Sequence, residues 1–373
     1  MADSEKSQDI LSINGTDVYK LDDDAKHFIN KSTIIFGPSM TGKTTIIHHI
    51  MYLLKSMVPM IVVVCPLTSA EYYKSKVPDY LIHHELTKET IENLVNRQKD
   101  LKQCKDIADD IAILENLYEH CQSKNDKIKQ YKAVYDETRK RVEGNKNISA
   151  HEKSVTLENM EKEYKESVRA FYKAAINNNL EYLTKHKKHL LTDKESVCLR
   201  CINSNTRLMI IFDDVTEFFA QWMNYFSGVV NPFHSIFYRG RHFDITIVIS
   251  CHSNKFLRKE LRSNAHNVIY TSMDTVSAEI RDLPPQLKKQ TLNIAKQVFD
   301  NEEESKTGIK KYRKYCYIKD NIHPHRYIIA SRNGDFRCGH EYLWMIQNKV
   351  ETKNVDLTQN RVASNIIGRS PPR

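Results

Sequence analysis

The chain has 373 residues, of which 40% are hydrophobic and 28% are charged, and its formal net charge is +9. This length suits one large domain with additions or two domains, and no apolar run reaches the roughly 18 residues that a membrane-spanning helix needs. The polar, acidic first residues predict no secretory signal, so the eight cysteines are expected to be reduced thiols. The positive charge permits a polyanionic partner but does not require one.

The first element with a chemical signature is a short apolar strand at 32–36, followed by the sequence GPSMTGKTT and an apolar helical pattern. Glycine is scarce, at ten residues, yet Gly37 and Gly42 stand five apart and are followed by Lys43 and Thr44. This is the P-loop pattern G-x-x-x-x-G-K-[ST], in the strand-to-helix context that supports it. The predicted nucleotide-binding residues are Gly37, Pro38, Ser39, Met40, Thr41, Gly42, Lys43, Thr44 and Thr45.

The chemistry of phosphate binding explains the residue types of this loop. Glycines let backbone N–H groups curl around phosphate oxygens that a Cβ atom would crowd, and the helix directs its first N–H groups at the same anion. Lys43 is expected to reach the β- and γ-phosphates of ATP, and the Thr44 hydroxyl is expected to hold Mg²⁺. The alternative is an ordinary tight turn, which the flanking strand and helix disfavour.

After an apolar strand at 60–66, the chain enters a long region, 88–190, that is rich in charge and poor in glycine and proline. Apolar residues recur there in heptad-like steps, which predicts long amphipathic helices folded back at 143–156. Acidic and basic residues are nearly balanced in this region. We therefore expect it to be an arm that contacts another subunit or a partner rather than the main DNA-binding surface. A solvated helical hairpin with no separate role is the alternative.

A C-x2-C pair follows this region at Cys198 and Cys201. A structural zinc site would need two more ligands, and Cys338 with His340 is the only pair that suggests itself. Because no second C-x2-C occurs, the pattern disfavours a zinc site.

The next strand carries the second part of a nucleotide site. The run from Leu208 to Phe212 is continuously apolar, as in a strand buried on both faces, and carboxylates follow at the end of the strand, where an open α/β sheet binds ligands. Asp213 is assigned to the Mg²⁺ shell. Asp214 is assigned to polarise the attacking water, with Glu217 as the alternative. A solvated acidic turn would explain the pattern less well once the P-loop is considered.

A third strand, 244–250, ends in small polar residues that could sense the γ-phosphate of a nucleotide. The candidates are Ser250, His252 and Ser253. For His252, a hydrogen-bonded loop residue without a sensing role is an equal alternative.

The C-terminal part begins with predicted helices over 274–300, interrupted at Pro284 and Pro285. The segment 306–320 then interleaves basic residues with tyrosines and could pair as a hairpin with 326–332. Basic and aromatic side chains together suit a nucleic-acid strand, although an edge strand with a polar outer face shows the same pattern.

Taken in order, the segments GPSMTGKTT, LMIIFDDV, FYRGRHFDITIVISCHS and LRSNAHNVIY resemble the genome-packaging ATPases of large cytoplasmic DNA viruses. These ATPases occur in poxviruses and African swine fever-like viruses and belong to the FtsK–HerA group of P-loop motors. The resemblance covers about 31–85 and 200–335. It implies ATP and Mg²⁺ as cofactors, double-stranded DNA and a capsid or virion component as partners, and the host cytoplasm (viral factory) or the virion as location.

The resemblance also implies an arrangement of strands and subunits. The 244–250 strand should lie between the P-loop strand and the Asp213 strand, which would bring His252 near the γ-phosphate. The family usually has Gln at that position, so His252 departs from the pattern. Such motors act as homo-oligomeric rings in which an arginine completes the neighbouring site, and Arg241 and Arg262 stand in matching segments, with Arg239 as a weaker candidate. Basic residues that contact DNA phosphate or water are the alternative.

We therefore expect an α/β fold: a RecA-like P-loop ATPase core with a mainly parallel central sheet, interrupted by a long α-helical insertion. The expected function is ATP-driven translocation of double-stranded DNA into a capsid. The alternatives are a general DNA translocase or helicase, a nucleotide-dependent scaffold or switch, and a nucleoside kinase, which Asp213-Asp214 disfavours. The expected segments are an N-terminal arm (1–30), the first core part (31–87), the helical insertion (88–190), the second core part (191–345) and a flexible tail (346–373).

Overall fold

The computed structural model describes residues 10–13, 16–20, 25–85, 87–122, 127–145, 147–215, 232–252, 257, 259–280, 285–299, 314–318 and 327–330. The strands are β1 (Ile10–Ile13), β2 (Thr16–Lys20), β3 (Ser32–Phe36), β4 (Met60–Val64), β5 (Ile82–His83), β6 (Leu208–Phe212), β7 (Ile245–Cys251), β8 (Asn267–Tyr270), β9 (Lys314–Ile318) and β10 (Tyr327–Ala330).

The helices are α1 (Lys43–Leu53), α2 (Leu67–Lys74), α3 (Lys88–Ala108), α4 (Ile111–Glu119), α5 (Lys127–Gly144), α6 (Ala150–Asn178), α7 (Leu180–Tyr182), α8 (Asp193–Cys201), α9 (Pro232–Arg239), α10 (Lys259–Ser263), α11 (Met273–Glu279) and α12 (Pro285–Phe299). Short 3-10 turns cover Ala25–His27, Asp79–Leu81, Lys188–Leu190 and Gly240–Phe243, and a π-helical turn covers Leu183–Lys187.

These strands form one sheet in the order β1-β2-β10-β9-β8-β3-β7-β6-β4-β5. The six strands from β8 to β5 are all parallel. Strand β7 pairs with β3 on one side and with β6 on the other, which confirms the predicted position of the 244–250 strand. The predicted fold class, α/β with a mainly parallel central sheet and a helical insertion, is confirmed.

The three central strands are buried on both faces, which explains their mainly apolar sequences. Every residue of β3, β6 and β7 is buried, and their side chains form the main core with α1, which contributes Ile46, Ile47 and Ile50. Parallel strands that are covered by helices on both faces are typically rich in apolar residues. Because β3, β7 and β6 are parallel neighbours, their carboxyl ends lie at the same side of the sheet, where the predicted site residues follow.

Beyond β8 the sheet becomes mixed. Strand β9 pairs antiparallel with β8 and with β10, so the predicted pairing of 306–320 with 326–332 is confirmed. Strands β1 and β2, from the segment expected to be an N-terminal arm, pair with each other, and β2 pairs with β10.

The chain divides into two compact units, one formed by residues 1–99 and 206–373 and the other by 100–205. The second unit starts and ends later than the insertion expected from the sequence. The start is later because the first part of α3 belongs to the sheet unit: Ile91 and Val95 lie in its core, and the Gln98 amide donates to the carbonyls of Thr206 and Phe243.

The helical unit has its own apolar core, to which α4, α6 and α8 contribute Leu114, Ile176 and Cys198. Helices α5 and α6 pack on each other, as predicted, and the turn between them lies within the expected 143–156. Ser149 starts α6 with a capping box that includes Glu152. In this unit α5 buries no residue completely and contacts α6 through side chains such as Tyr135, whose ring stacks on Tyr164 with centroids 4.7 Å apart.

Several predictions concern residues outside the described ranges: Glu217, Ser253, Pro284, the pair Cys338 and His340, and the tail 346–373. Within the described ranges, none of the helices combines the length and the apolar character needed to cross a membrane.

Candidate nucleotide-binding site

The P-loop leaves β3 at Gly37 and enters α1 at Lys43. The amide of Gly37 donates to the Cys251 carbonyl at 3.1 Å, which ties the start of the loop to β7. Gly42 precedes α1 with φ of 85°, a left-handed conformation that glycine adopts without strain. Met40 also has a positive φ, 62°, and its side chain is 92% exposed at the tip of the loop.

The first glycine of the motif is required by space. A Cβ atom on Gly37 would lie 1.5 Å from the Thr271 Oγ1 atom and 2.8 Å from its Cβ atom. Either the loop or Thr271 would have to shift to make room for it. Thr271 directly follows β8, and its amide donates to the Phe36 carbonyl. No sequence motif includes Thr271, and its position directly after a strand next to β3 is the only signal that could have indicated it.

Thr271 also holds the loop through Thr41. The Thr41 hydroxyl donates to the Pro38 carbonyl at 2.8 Å and lies 2.7 Å from the Thr271 hydroxyl. Because the Thr41 proton is used by Pro38, Thr271 is the donor in the second bond. The loop is thus fastened to β8 through a side chain as well as to β7 through its backbone.

The Lys43 ammonium is turned onto the loop itself. Its Nζ atom donates to the carbonyls of Gly37 and Pro38 at 3.0 and 2.9 Å and lies 3.3 Å from His252 Nδ1. These contacts use its three N–H donors. Burial lowers the pKa of Lys43, while the carboxylates of Asp214 and Asp213 act in the opposite direction.

The Asp213 carboxylate, directly after β6, is 2% exposed and is surrounded by hydroxyl groups. Oδ2 accepts from Thr44 Oγ1 at 3.2 Å and from the Tyr73 hydroxyl at 2.7 Å, and Oδ1 accepts from Ser250 Oγ at 2.5 Å. Ser250, predicted as a γ-phosphate sensor, therefore contacts this carboxylate. Burial, with a contribution from Asp213, raises the pKa of Tyr73 well above its ordinary value, so Tyr73 stays protonated and remains a donor.

Asp214 follows with φ of 58°, in the left-handed region, and its amide donates to Ser250 Oγ. This turn directs its carboxylate to His252, whose Nε2 contacts Asp214 Oδ1. Nδ1 of the same ring lies 3.3 Å from Lys43 Nζ, and because an ammonium group can only donate, Nδ1 is the acceptor in this contact. The structure thus links Lys43, His252 and Asp214 in one chain of hydrogen bonds.

The other predicted loop residues are at the surface or close to it. Pro38 and Ser39 are exposed, and Thr44 and Thr45 are half-buried at the start of α1. Thr44 and Thr45 thus lie in the first turn of the helix, where backbone N–H groups have no partner within the helix.

The arginine candidates do not belong to this cluster. Arg241 is exposed in the 3-10 turn that precedes β7, and Arg262 lies in α10, before β8. Arg262 donates from Nε to the Leu257 carbonyl at 3.0 Å. Helices α9 and α10 contact each other, so Arg239, at the end of α9, belongs to the same region. All three residues precede the strands whose far ends carry the nucleotide site.

The residues present fit a magnesium ion that binds together with a nucleotide. Thr44 and Asp213 offer hard oxygen ligands, and Mg²⁺ commonly takes one or two protein oxygens and completes its shell with phosphates and water. No group of three or more His, Cys, Asp or Glu side chains that could hold a metal by itself occurs among the described residues.

The structure describes Cys198 and Cys201 of the C-x2-C pair on α8, while Cys338 and His340 lie outside the described residues. Cys201 forms a side-chain hydrogen bond with Cys104, and Cys198 is completely buried. The bond from Cys104 lowers the pKa of Cys201, whereas burial raises the pKa of Cys198 to about 12. Cys198 therefore has the character of a packed neutral thiol.

Comparisons with known proteins give similar structures and one group of sequence relatives. The chain resembles the ATPγS-bound monomer of the pCW3 conjugation coupling protein TcpA, with 11% identity, a TM-score of 0.39, and coverage of 94% of this chain and 73% of that chain. It also resembles the genome packaging NTPase B204 from Sulfolobus turreted icosahedral virus 2 in complex with AMPPCP, with 9% identity, a TM-score of 0.33, and coverage of 78% and 92%.

No protein-family model matches the chain. By sequence, the chain is 29% identical over 303 residues to the uncharacterized protein B354L of African swine fever virus (isolate Warthog/Namibia/Wart80/1980), and the match covers 80% of each protein. Four further isolates of this virus have a B354L protein that is 29% identical over the same length. The relatives found by sequence are thus viral proteins.

Proposed function

We propose that this protein is an ATP-hydrolysing motor that moves double-stranded DNA into a capsid during virion assembly. The observation that carries the proposal is the convergence of Lys43, Asp213, Asp214 and His252 at the carboxyl ends of three adjacent strands, β3, β6 and β7. A nucleotide bound by the P-loop would have its terminal phosphate beside a buried carboxylate and a more exposed one.

The P-loop would bind the phosphates through its backbone amides and through Lys43. The ammonium would leave the carbonyls of Gly37 and Pro38 and donate to phosphate oxygens, which stabilises the charge that develops on the γ-phosphoryl group. Because the amides of residues 42–45 open α1, the helix N-terminus would favour the same anion.

Mg²⁺, when bound, would neutralise charge on the β- and γ-phosphate oxygens. Thr44 and Asp213 are the residues that would hold it. The Thr44 hydroxyl donates its proton to Asp213 and keeps its lone pairs for a cation.

Asp214 would orient the attacking water and take its proton. Its Oδ1 atom is engaged by His252, so Oδ2 is the oxygen that would receive the water. The turn at Asp214 and the bond from its amide to Ser250 hold this carboxylate in a fixed direction. A carboxylate that is already oriented stabilises the transition state most effectively in a site from which bulk water is excluded.

The arginines would act on a neighbouring subunit. Strand β7 has seven residues, so its two ends are about 20 Å apart, and Arg241 precedes the end that is remote from His252. An arginine at that edge cannot reach its own P-loop, but it could meet the P-loop of the next subunit in a ring. DNA as substrate and the capsid as partner come from the family resemblance of the sequence.

The test is steady-state ATP hydrolysis with increasing double-stranded DNA, with Lys43→Ala as the blank. We expect the wild-type rate to rise several-fold with DNA and the variant to stay at background. Asp214→Asn should bind ATP and fail to hydrolyse it, whereas retained turnover in Asp214→Asn with loss in Glu217→Gln would reassign the water-activating carboxylate. Normal hydrolysis by Lys43→Ala would contradict the site itself.

A nucleotide-dependent scaffold or switch is the second candidate, because the helical unit 100–205 has a core of its own and the exposed hairpin of α5 and α6. Hydrolysis that does not respond to DNA would favour it. Stimulation by single-stranded rather than double-stranded DNA would instead favour a helicase.

A further inference from the structure

Tyr73 is a buried aromatic residue of α2 that the sequence patterns did not single out. Its side chain is completely buried, and its hydroxyl lies 2.7 Å from Asp213 Oδ2. Tyr72, its neighbour in sequence, points to the surface and is 58% exposed. The two tyrosines thus have opposite environments although they are adjacent on the same helix.

The ring of Tyr73 is held in place from a second side. His48 of α1 packs against it edge to face, with ring centroids 5.3 Å apart and an interplanar angle of 82°. His48 belongs to the helix that the P-loop opens. Tyr73 therefore contacts the P-loop helix through its ring and the carboxylate after β6 through its hydroxyl.

The hydroxyl restricts how the Asp213 carboxylate can turn. A carboxylate offers about four acceptor positions, and three of them are used by Thr44, Tyr73 and Ser250. Thr44 and Tyr73 both donate to Oδ2, so together they fix that oxygen and leave the remaining acceptor position on Oδ1. Without the Tyr73 bond the carboxylate could rotate away from Thr44.

We propose that Tyr73 is a positioning residue for the magnesium-binding carboxylate: it holds Asp213 in the orientation in which Asp213 and Thr44 together bind Mg²⁺ with the nucleotide. It does not contact substrate itself. The proposal rests on the proposed nucleotide site and adds a residue outside the P-loop and the Asp213-Asp214 pair. Residues that orient metal ligands typically change metal affinity about 10- to 100-fold when they are substituted.

The experiment compares Tyr73→Phe, which removes only the hydroxyl, with Tyr72→Phe as the matched control. Binding of a fluorescent ATP analogue is titrated with Mg²⁺, and the affinity for the analogue is measured separately in EDTA. We expect the Mg²⁺ concentration for half-maximal binding to rise about 10-fold or more in Tyr73→Phe and to stay at the wild-type value in Tyr72→Phe. Binding in EDTA should be the same in all three proteins.

An unchanged Mg²⁺ midpoint in Tyr73→Phe would overturn the proposal, and so would an equal loss of binding with and without Mg²⁺, which indicates a general structural effect. Absence of any binding of the analogue to the wild type would instead refute the nucleotide site on which the proposal rests, whereas wild-type binding that does not respond to Mg²⁺ would refute the magnesium site and the proposal with it.

A second comparison keeps the proposal testable if Tyr73→Phe does not fold. Asp213→Asn and Asp213→Asn/Tyr73→Phe both lack the carboxylate charge, so in neither protein does the Tyr73 hydroxyl orient a magnesium-binding carboxylate. If Tyr73 acts only through the Asp213 carboxylate, these two proteins have the same Mg²⁺ midpoint. A further shift in the double variant would refute the proposed role.

Discussion

At the scale of single residues, Gly37 illustrates how a motif residue is determined by a distant side chain. The P-loop pattern explains a glycine by close approach to phosphate, but the structure adds a second reason, since Thr271 occupies the space of a Cβ atom. Thr41 and Thr271, which bond to each other, are 230 residues apart in sequence. A local pattern cannot contain such a contact.

We therefore predict that Gly37→Ala lowers both nucleotide affinity and the thermal unfolding midpoint, because the new methyl group displaces Thr271 from the loop. Thr271→Gly in the same chain removes the overlapping atoms and should recover part of the midpoint. Thermal unfolding of both single variants and the double variant is the measurement. A double variant less stable than Gly37→Ala would contradict the steric explanation.

A second residue-scale prediction concerns Cys201. The hydrogen bond from Cys104 lowers its pKa, so its thiolate, the reactive form, is present at lower pH than in an ordinary cysteine. Burial raises the pKa of Cys65 to about 12, which keeps that thiol protonated at neutral pH. Cys201 is half-buried, whereas five other cysteines are buried: Cys65, Cys104, Cys121, Cys198 and Cys251.

We expect iodoacetamide at pH 7 to modify Cys201 before these five buried cysteines, as followed by mass spectrometry. Cys104→Ser keeps a hydrogen-bond donor and should preserve this reactivity, whereas Cys104→Val removes the donor and should shift the pH profile of alkylation to higher pH. Identical profiles for the two variants would exclude a role for the bond.

At the scale of elements, the order of the strands makes the site. Because β7 lies between β3 and β6, residues that follow three separate strands meet at one edge. The apolar runs of these strands predicted burial, and the family resemblance predicted the order. Helix α3 shows what periodicity misses: its first part packs on the sheet, and Gln98 is completely buried there.

Gln98 should therefore contribute to the stability of the sheet unit. Its amide donates to the Thr206 carbonyl before β6 and to the Phe243 carbonyl before β7 at 2.8 and 3.0 Å. Gln98→Leu leaves these acceptors without that donor, and we expect the free energy of unfolding to fall by about 2 kcal/mol. Urea unfolding followed by circular dichroism measures it. The control is Gln103→Leu, at an exposed position of the same helix. An equal fall in the free energy of unfolding in this control would argue against a specific contribution of the two Gln98 hydrogen bonds.

At the scale of the whole molecule, the two ends of the parallel strands carry different candidates for the catalytic site. The carboxyl edge holds the P-loop, Asp213 and Asp214, and the opposite edge has Arg241 before β7 and Arg262 before β8. A head-to-tail ring brings unlike surfaces of neighbouring subunits together. We therefore predict that, in the ring proposed above, hydrolysis requires two subunits.

Mixing inactive variants tests this prediction. Lys43→Ala retains its arginines and Arg241→Ala retains its P-loop, so a mixed ring contains some intact sites at subunit boundaries. For random assembly of equal amounts we expect roughly one quarter of the wild-type ATPase rate, although each variant alone is inactive. Arg262→Ala is tested in the same way, with Arg239→Ala for comparison. Full activity of both Arg241→Ala and Arg262→Ala alone would exclude an essential arginine at these two positions.

The sequence by itself determined the features that lie within short segments: the P-loop between a strand and a helix, the buried strand before Asp213 and Asp214, and the helical hairpin of α5 and α6. Backbone geometry, apolar periodicity and glycine placement act over a few residues, so their patterns can be read locally. The tertiary structure decided which side chains meet across the sheet. Tyr73 and Asp213 are 140 residues apart, and the link from Lys43 through His252 to Asp214 joins three strand ends. Such contacts depend on the order of parallel strands and on packing between them, which no local pattern specifies.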